Sequence, residues 1–179
     1  MSLLYGFDSS LTHFGYAVAR RTAEGLAFVS VGCFATRPDA ERESKTADTR
    51  RRVEGLAREL RGLVQRHGAP AVICVEALAL PLGRTSLVTV SALGRARGLV
   101  DALIIEHGAV AAEFQPQALK AAVTGSRSAT KLEVQQQLEA AHPELERLFA
   151  GLRASSVEHA ADAAAAVHAF TTQHQPEES

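Results

Sequence analysis

"AVICVE", residues 71–76, decides the fold. An apolar run closed by one carboxylate is too apolar for a strand with a wet face, so it reads as a central strand covered on both sides. Just upstream, Val53, Leu56, Leu60, Leu63 and Val64 recur at helical spacing within about 47–67, and Gly68 with Pro70 marks the end of that helix. A central strand entered from a helix is a parallel crossover. Further upstream, LLYGFD (3–8), FGYAVAR (14–20) and LAFVSVGCFAT (26–36) are β-rich runs separated by Ser9-Ser10 and Glu24-Gly25, which reads as an antiparallel meander. The order is βββαβ.

Downstream, a loop with Pro81 and Gly83 leads to a long helix over 86–107, a strand VAAEF (110–114), a short helix PQALKAA (116–122) and another over 131–141. A last helix starts near Ser155 and runs to about Phe170, and the polar TTQHQPEES (171–179) is expected to be a disordered tail. The spacing predicts an α/β fold with a mixed five-stranded sheet, three strands from the meander and two parallel, flanked by helices. One domain over 1–170 is expected.

The 179 residues, 46% of them hydrophobic, can bury a core without disulfides or structural metal. Cys33 and Cys74 lie in strand-like runs without C-x-x-C spacing, as buried thiols of a reducing compartment do. No apolar stretch approaches the ~18 residues of a membrane span, and MSLLYGFD has no signal-peptide pattern, so a cytoplasmic location is expected. The formal net charge of −1 leaves nucleic-acid binding open, because a local basic face counts for more than the sum. Basic residues gather at Arg50, Arg51, Arg52, Arg58, Arg61 and Arg66, and again at Arg95, Arg97, Lys120, Arg127 and Lys131. The polar turn TGSRSATK (124–131) opens a helix, where Arg127, Lys131 and backbone N–H groups can grip a phosphate.

Strand alternation puts Leu4, Gly6 and Asp8 on one face, with Asp8 at the strand end, and "AVICVE" ends in the same way on Glu76. If the crossover lays the two strands side by side, the carboxylates become neighbours, and neighbouring carboxylates repel unless a cation lies between them. In the last helix, Ser155-Ser156-Val157-Glu158 fits a capping box with Ser155 as the cap. "EHAADA" (158–163) then sets His159 and Asp162 on one helical face, where they pair with each other, face solvent or converge on something charged. The surrounding alanines let this helix lie close against the sheet.

Four pieces, "GFDSSLTHFGYAV", "VICVEA", "GRARG" and "HAADA", in this order and at this spacing, resemble the RuvC family of Holliday junction resolvases, members of the RNase H-like superfamily. The resemblance covers residues 3 to about 170. It implies a metal-dependent, structure-selective DNA endonuclease that cleaves four-way junctions in recombination and repair. It further implies that Asp8, Glu76, His159 and Asp162 form the catalytic, metal-binding set, with His159 where many members have Asp. Two Mg²⁺ ions per site are implied, with Mn²⁺ a plausible substitute given the imidazole. Lys120 and Lys131 match lysines that members place near the scissile phosphate, and Arg84 and Arg127 join them as expected nucleic-acid contacts. Implied partners are branched DNA, a second copy of the chain paired through helix 86–107, and a branch-migration helicase.

Two departures bear on the substrate. Members commonly carry an aromatic residue three positions after the catalytic glutamate, where this chain has Ala79, and the usual D-P-G turn reads Asp8-Ser9-Ser10, as in divergent or phage-borne relatives. Nucleases of other branched, flapped or single-stranded substrates, and a non-catalytic junction-binding protein, are the competing readings. An actin-like ATPase needs a second domain that this length cannot hold.

Overall fold

The computed structural model describes residues 2–23, 25–39, 41, 44–78 and 86–174. Strands β1 (Ser2–Asp8), β2 (His13–Thr22) and β3 (Gly25–Ala35) form the antiparallel meander, and α1 (Lys45–His67) crosses over to β4 (Val72–Glu76). Helix α2 (Leu87–His107) leads to β5 (Val110–Phe114), followed by α3 (Pro116–Thr124), α4 (Lys131–Ala141), α5 (Glu144–Ala150) and α6 (Ala154–Gln173). The sheet order is β3-β2-β1-β4-β5, with β1 and β4 parallel and β4 and β5 parallel. The mixed five-stranded sheet expected from the sequence is therefore present, and "VICVE" is its penultimate strand, between β1 and β5.

Strand parity divides the core into two layers. Tyr5, Phe7, Phe14, Ile73 and Val75 face α1 and α2, packing on Leu56, Leu60, Leu63, Val100 and Leu103. Leu4, Ala17, Ala19 and Cys74 face the other way, onto the alanines of α6 and onto Leu138, Leu145 and Phe149 of α4 and α5. Asp8 and Glu76 share the parity of Leu4 and Cys74, so both carboxylates belong to the α6 face.

The alanines of α6 do what the sequence suggests. A Cβ added at Gly6 would stand 2.0 Å from the carbonyl oxygen of Ala163, and one at Gly15 would stand 2.1 Å from that of His159. The helix backbone thus lies directly on β1 and β2, separated by glycine on one side and alanine on the other. Larger residues at either surface would lift α6 and the groups it carries away from the strand ends.

Several expectations need correction. Helix α5 was not anticipated, since seven residues after Pro143 are too few to show a period; Leu145 and Phe149 nonetheless anchor it, and Glu144 Oε1 accepts the N–H of Phe28 at 2.8 Å. Helix α6 begins at Ala154 with Arg153 as N-cap and no side-chain cap, so Ser155 is not the cap and no capping box forms there. Glu158 pairs with Lys131 of α4 instead, because a cation on a neighbouring helix outcompetes a neutral backbone N–H for its carboxylate. The capping box stands at the start of α4, between Thr130 and Glu133. Helix α6 continues through Gln173, so 171–173 are helical rather than tail, and 175–179 lie outside the described residues.

Of the three arginines at 50–52, one is held within the protein and the other two are exposed but paired with carboxylates of the same helix. Arg52 is buried, donating to Thr36 Oγ1 at 2.8 Å and Thr12 Oγ1 at 3.0 Å and pairing with Asp48, while Arg50 pairs with Glu54 and Arg51 with Asp48. Arg97 binds Glu113 at 2.7 Å, Asp101 at 3.3 Å and the carbonyl of Glu76 at 3.4 Å, which braces the ends of β4 and β5.

Candidate active site

Parallel register creates the site. The last β1–β4 pair is Phe7 with Val75, so Asp8 and Glu76 follow side by side where two neighbouring strands end. Ala77 N–H donates to the carbonyl of Phe114 at 2.8 Å, which keeps the chain in sheet geometry one residue past the carboxylate. A cleft of about 230 Å³ opens here, lined by Asp8, Ser9, Ser10, Glu76, Ala77, Leu78 and Leu93.

Helix α6 brings the other two groups. His159 Nδ1 lies 2.6 Å from Asp8 Oδ2, and with an ionised carboxylate as acceptor the proton sits on Nδ1. That hydrogen bond raises the imidazole pKa; burial opposes it, and the charges of Asp8, Glu158 and Asp162 add to it. One turn on, Asp162 Oδ2 lies 3.3 Å from Lys131 Nζ, and the same ammonium binds Glu158. Burial pushes the Asp162 carboxyl up, Lys131 works against this, and Asp8 and Glu158 reinforce it. Burial works to lower Lys131, but its bonds to Glu158 and Asp162 keep the ammonium above its ordinary value. Glu76 is pushed up to about 7 by burial and by repulsion from Asp162 and Asp8, against the pull of Lys131 and Lys120.

The four expected site residues are thus gathered at one place by two strand ends and one helix. They are not closed around a point: among the described residues no three His, Cys, Asp or Glu side chains form a ready-made metal set, because Asp8 is turned to His159 and Asp162 to Lys131. The donor chemistry still fits a hard divalent cation. Glu76 and Asp162 are both held up by burial and by repulsion from neighbouring carboxylates, the electrostatic condition that a cation relieves.

Lys131 reaches the site directly, and Lys120 is close enough to influence Glu76. Arg127 is exposed and lines a separate cleft with Gln115 and Gln117 at the start of α3, away from the carboxylates. The N–H of Glu133 in the first turn of α4 is taken by Thr130 Oγ1, so the expected backbone grip at TGSRSATK is partly spent on the capping box. Arg84 and Ala79 lie outside the described residues. His13 is a site neighbour that sequence reasoning missed: its ring stacks on that of His159, with centroids 5.1 Å apart and planes 4° from parallel. Its parity with Gly15 and Ala17, both facing α6, is the signal that would have found it.

The raised Glu76 carboxyl has a measurable consequence in metal-free protein. Folding favours its protonated form, so its contribution to stability is complete below pH 4.5, the ordinary value, and is lost as pH rises through about 7. Glu76→Gln removes that loss. In chelator at pH 8 the variant is expected to be more stable than the parent by on the order of 1–2 kcal/mol, a figure discounted for partial solvent screening. The two proteins should converge near pH 4.5. Denaturant melts at both pH values check this, and equal stability at pH 8 would refute the assignment of a carboxyl raised by burial and repulsion to Glu76.

The family model described as crossover junction endodeoxyribonuclease RuvC matches residues 4–172. Crossover junction endodeoxyribonuclease RuvC of Pseudomonas paraeruginosa (strain PA7) is 30% identical over 135 residues, 75% of this chain and 71% of that protein. The protein of the same name from Pseudomonas putida (strain F1) is 28% identical over 134 residues, 75% of this chain and 70% of that one. Among solved structures, T. thermophilus RuvC in complex with Holliday junction substrate superposes with a TM-score of 0.74 at 22% identity, covering 97% of this chain and 94% of that one. The yeast mitochondrial Holliday junction resolvase superposes at 0.66 with 14% identity, covering 94% and 77%. At these identities the superpositions establish a common RNase H-like fold.

Proposed function

We propose, from the premise that this chain belongs to the RuvC family of crossover junction endodeoxyribonucleases, that its site hydrolyses phosphodiester bonds at four-way DNA junctions during recombination and repair. The observation that carries the reading is the meeting of Asp8 and Glu76 on adjacent strand ends with His159 and Asp162 of α6. Family membership brings metal dependence. Our reading assigns two Mg²⁺ ions, or Mn²⁺ in their place, to Asp8, Glu76, His159 and Asp162. Bound there, such ions supply an acidified water and neutralise charge on the phosphoryl oxygens.

The chain's own groups divide the remaining work. Asp8 fixes the proton on His159 Nδ1, which leaves Nε2 as the nitrogen able to bind a metal or to hold or accept a proton from the attacking water. Glu76 and Asp162 concentrate negative charge that only a cation or proton can offset. Our reading assigns Lys131, now held by Glu158 and Asp162, to the scissile phosphate together with Lys120, and the ion pair of Lys131 with Asp162 supports this. Arg127 and Arg84 are assigned to the DNA backbone beyond the cut.

A single nuclease domain covers the chain through α6, in a cytoplasmic protein acting as a homodimer. The outward face of α2, where Leu87, Val88 and Ile105 are 87%, 71% and 80% exposed, supports pairing through that helix. A branch-migration helicase is the further partner in this reading. Among the described residues no helix is long and apolar enough to cross a membrane.

The test presents one preparation with four-way junction, flap, duplex and single-stranded DNA in Mg²⁺. Paired nicks near the exchange point of the junction, with duplex uncut, are expected. Faster cutting of flap or single strand would replace the junction reading with the broader one, and binding without cutting would favour a non-catalytic protein.

A further inference from the structure

His159 is held on two sides by groups the reaction itself explains. Its backbone carbonyl lies where a Cβ on Gly15 would stand 2.1 Å away, and its Nδ1 is tied to Asp8. Neither contact restrains the tilt of the ring, because rotation about a terminal sp³–sp² bond is broad and a single hydrogen bond can follow it. The third contact is His13, parallel to the ring within 4° at a centroid separation of 5.1 Å. His13 is itself anchored. Its N–H donates to Ser10 Oγ at 3.0 Å, its carbonyl accepts from the same hydroxyl at 2.7 Å, and it opens β2 opposite Ala35.

We infer that His13 is a positioning residue for His159: a flat side chain mounted on the sheet that holds the imidazole at the angle where Nδ1 meets Asp8 and Nε2 stays free. Ser10 fixes the backbone of His13, His13 fixes the ring plane of His159, and Asp8 fixes its rotation in that plane. The role belongs to the flatness of the His13 ring, not to its nitrogens. It rests on the reading of His159 as a working member of a nuclease site, where small errors of placement are costly.

Three variants of the full chain separate the possibilities. His13→Phe keeps a flat ring, His13→Leu keeps much of the packing volume without flatness, and His13→Ala removes both. Two quantities are read: single-turnover cleavage of a four-way junction in Mg²⁺, and the imidazole ¹⁵N–¹H spectrum of His159 in metal-free protein. His13→Phe is expected to cut within about twofold of the parent, while His13→Leu and His13→Ala lose about tenfold or more in rate at unchanged junction affinity. The Nδ1–H resonance of His159 should stay sharp in His13→Phe and broaden in the other two. Parent-like cleavage and spectra in His13→Leu overturn the inference, as does a His13→Phe variant as slow as His13→Ala. Should His13→Ala fail to fold, the Leu and Phe variants decide. If the parent cuts no branched DNA at all, the nuclease reading fails by itself, and unchanged His159 spectra in His13→Leu would then overturn the positioning role separately.

Discussion

Asp8→Asn is expected to leave the protein folded and able to bind a junction but to cut its cleavage rate by at least about a thousandfold, the scale of a lost electrostatic contribution of several kcal/mol. The substitution is isosteric, and the Asn oxygen can still accept from His159 Nδ1, so the local geometry survives. What disappears is charge. The carboxylate that sustains the raised basicity of His159, and that stands beside Glu76 as a half-buried acid at the cleft, becomes neutral. In the proposed function affinity for DNA rests on phosphate contacts elsewhere, so loss of a negative charge should leave it unchanged or strengthen it slightly. Single-turnover cleavage and a binding titration in chelator measure the two quantities. Cleavage within tenfold of the parent would remove Asp8 from the catalytic set.

Gly6→Ala is expected to have the largest effect on stability. The added methyl would stand 2.0 Å from the carbonyl oxygen of Ala163, 2.9 Å from its carbon and 2.8 Å from Val167 Cγ2. Two of those atoms are helix backbone, which cannot swing aside as a side chain can. Either α6 lifts from β1 along much of its length or the strand distorts, at a cost of roughly 3–5 kcal/mol, at the severe end for one substitution. That is a large share of the 5–15 kcal/mol typical of a whole domain. Gly55→Ala is the control: it lies within α1 and an added Cβ meets nothing within 4 Å, so it should be neutral or stabilising by up to about 1 kcal/mol. Urea unfolding of the three proteins makes the comparison. A Gly6→Ala midpoint matching that of the parent would mean that α6 does not sit on the sheet as closely as the glycine spacing says.

The same contact links stability to activity. Gly6 and Gly15 let α6 approach to backbone distance, and that approach is what brings His159 and Asp162, on one helical face, to Asp8 and Glu76. In the proposed function a partial lift of the helix is therefore expected to abolish cleavage before it abolishes folding.

The parts of this architecture that follow local rules were readable in the chain itself. Strand alternation determined that Asp8 shares a face with Leu4 and Gly6, the helical period over 47–67 determined the crossover, and the crossover made β1 and β4 parallel neighbours with carboxylates at their ends. The i, i+3 spacing of His159 and Asp162 and the alanines around them likewise followed from α-helix geometry. The tertiary structure decided which of several local options each charged group took. Glu158 is at a spacing that suits a capping box, yet Lys131, 27 residues away in sequence, binds it instead. Arg52 sits in a basic run that reads as a local basic face, yet it is buried against Thr12, Thr36 and Asp48. His13 carried no local signal beyond its parity, because its partner lies on a helix that begins more than a hundred residues later. The physical reason is common to all three. Backbone periodicity is set by neighbours in sequence, whereas a charged or aromatic side chain lowers its free energy through whatever partner the fold brings within reach, and only the packed molecule contains that partner.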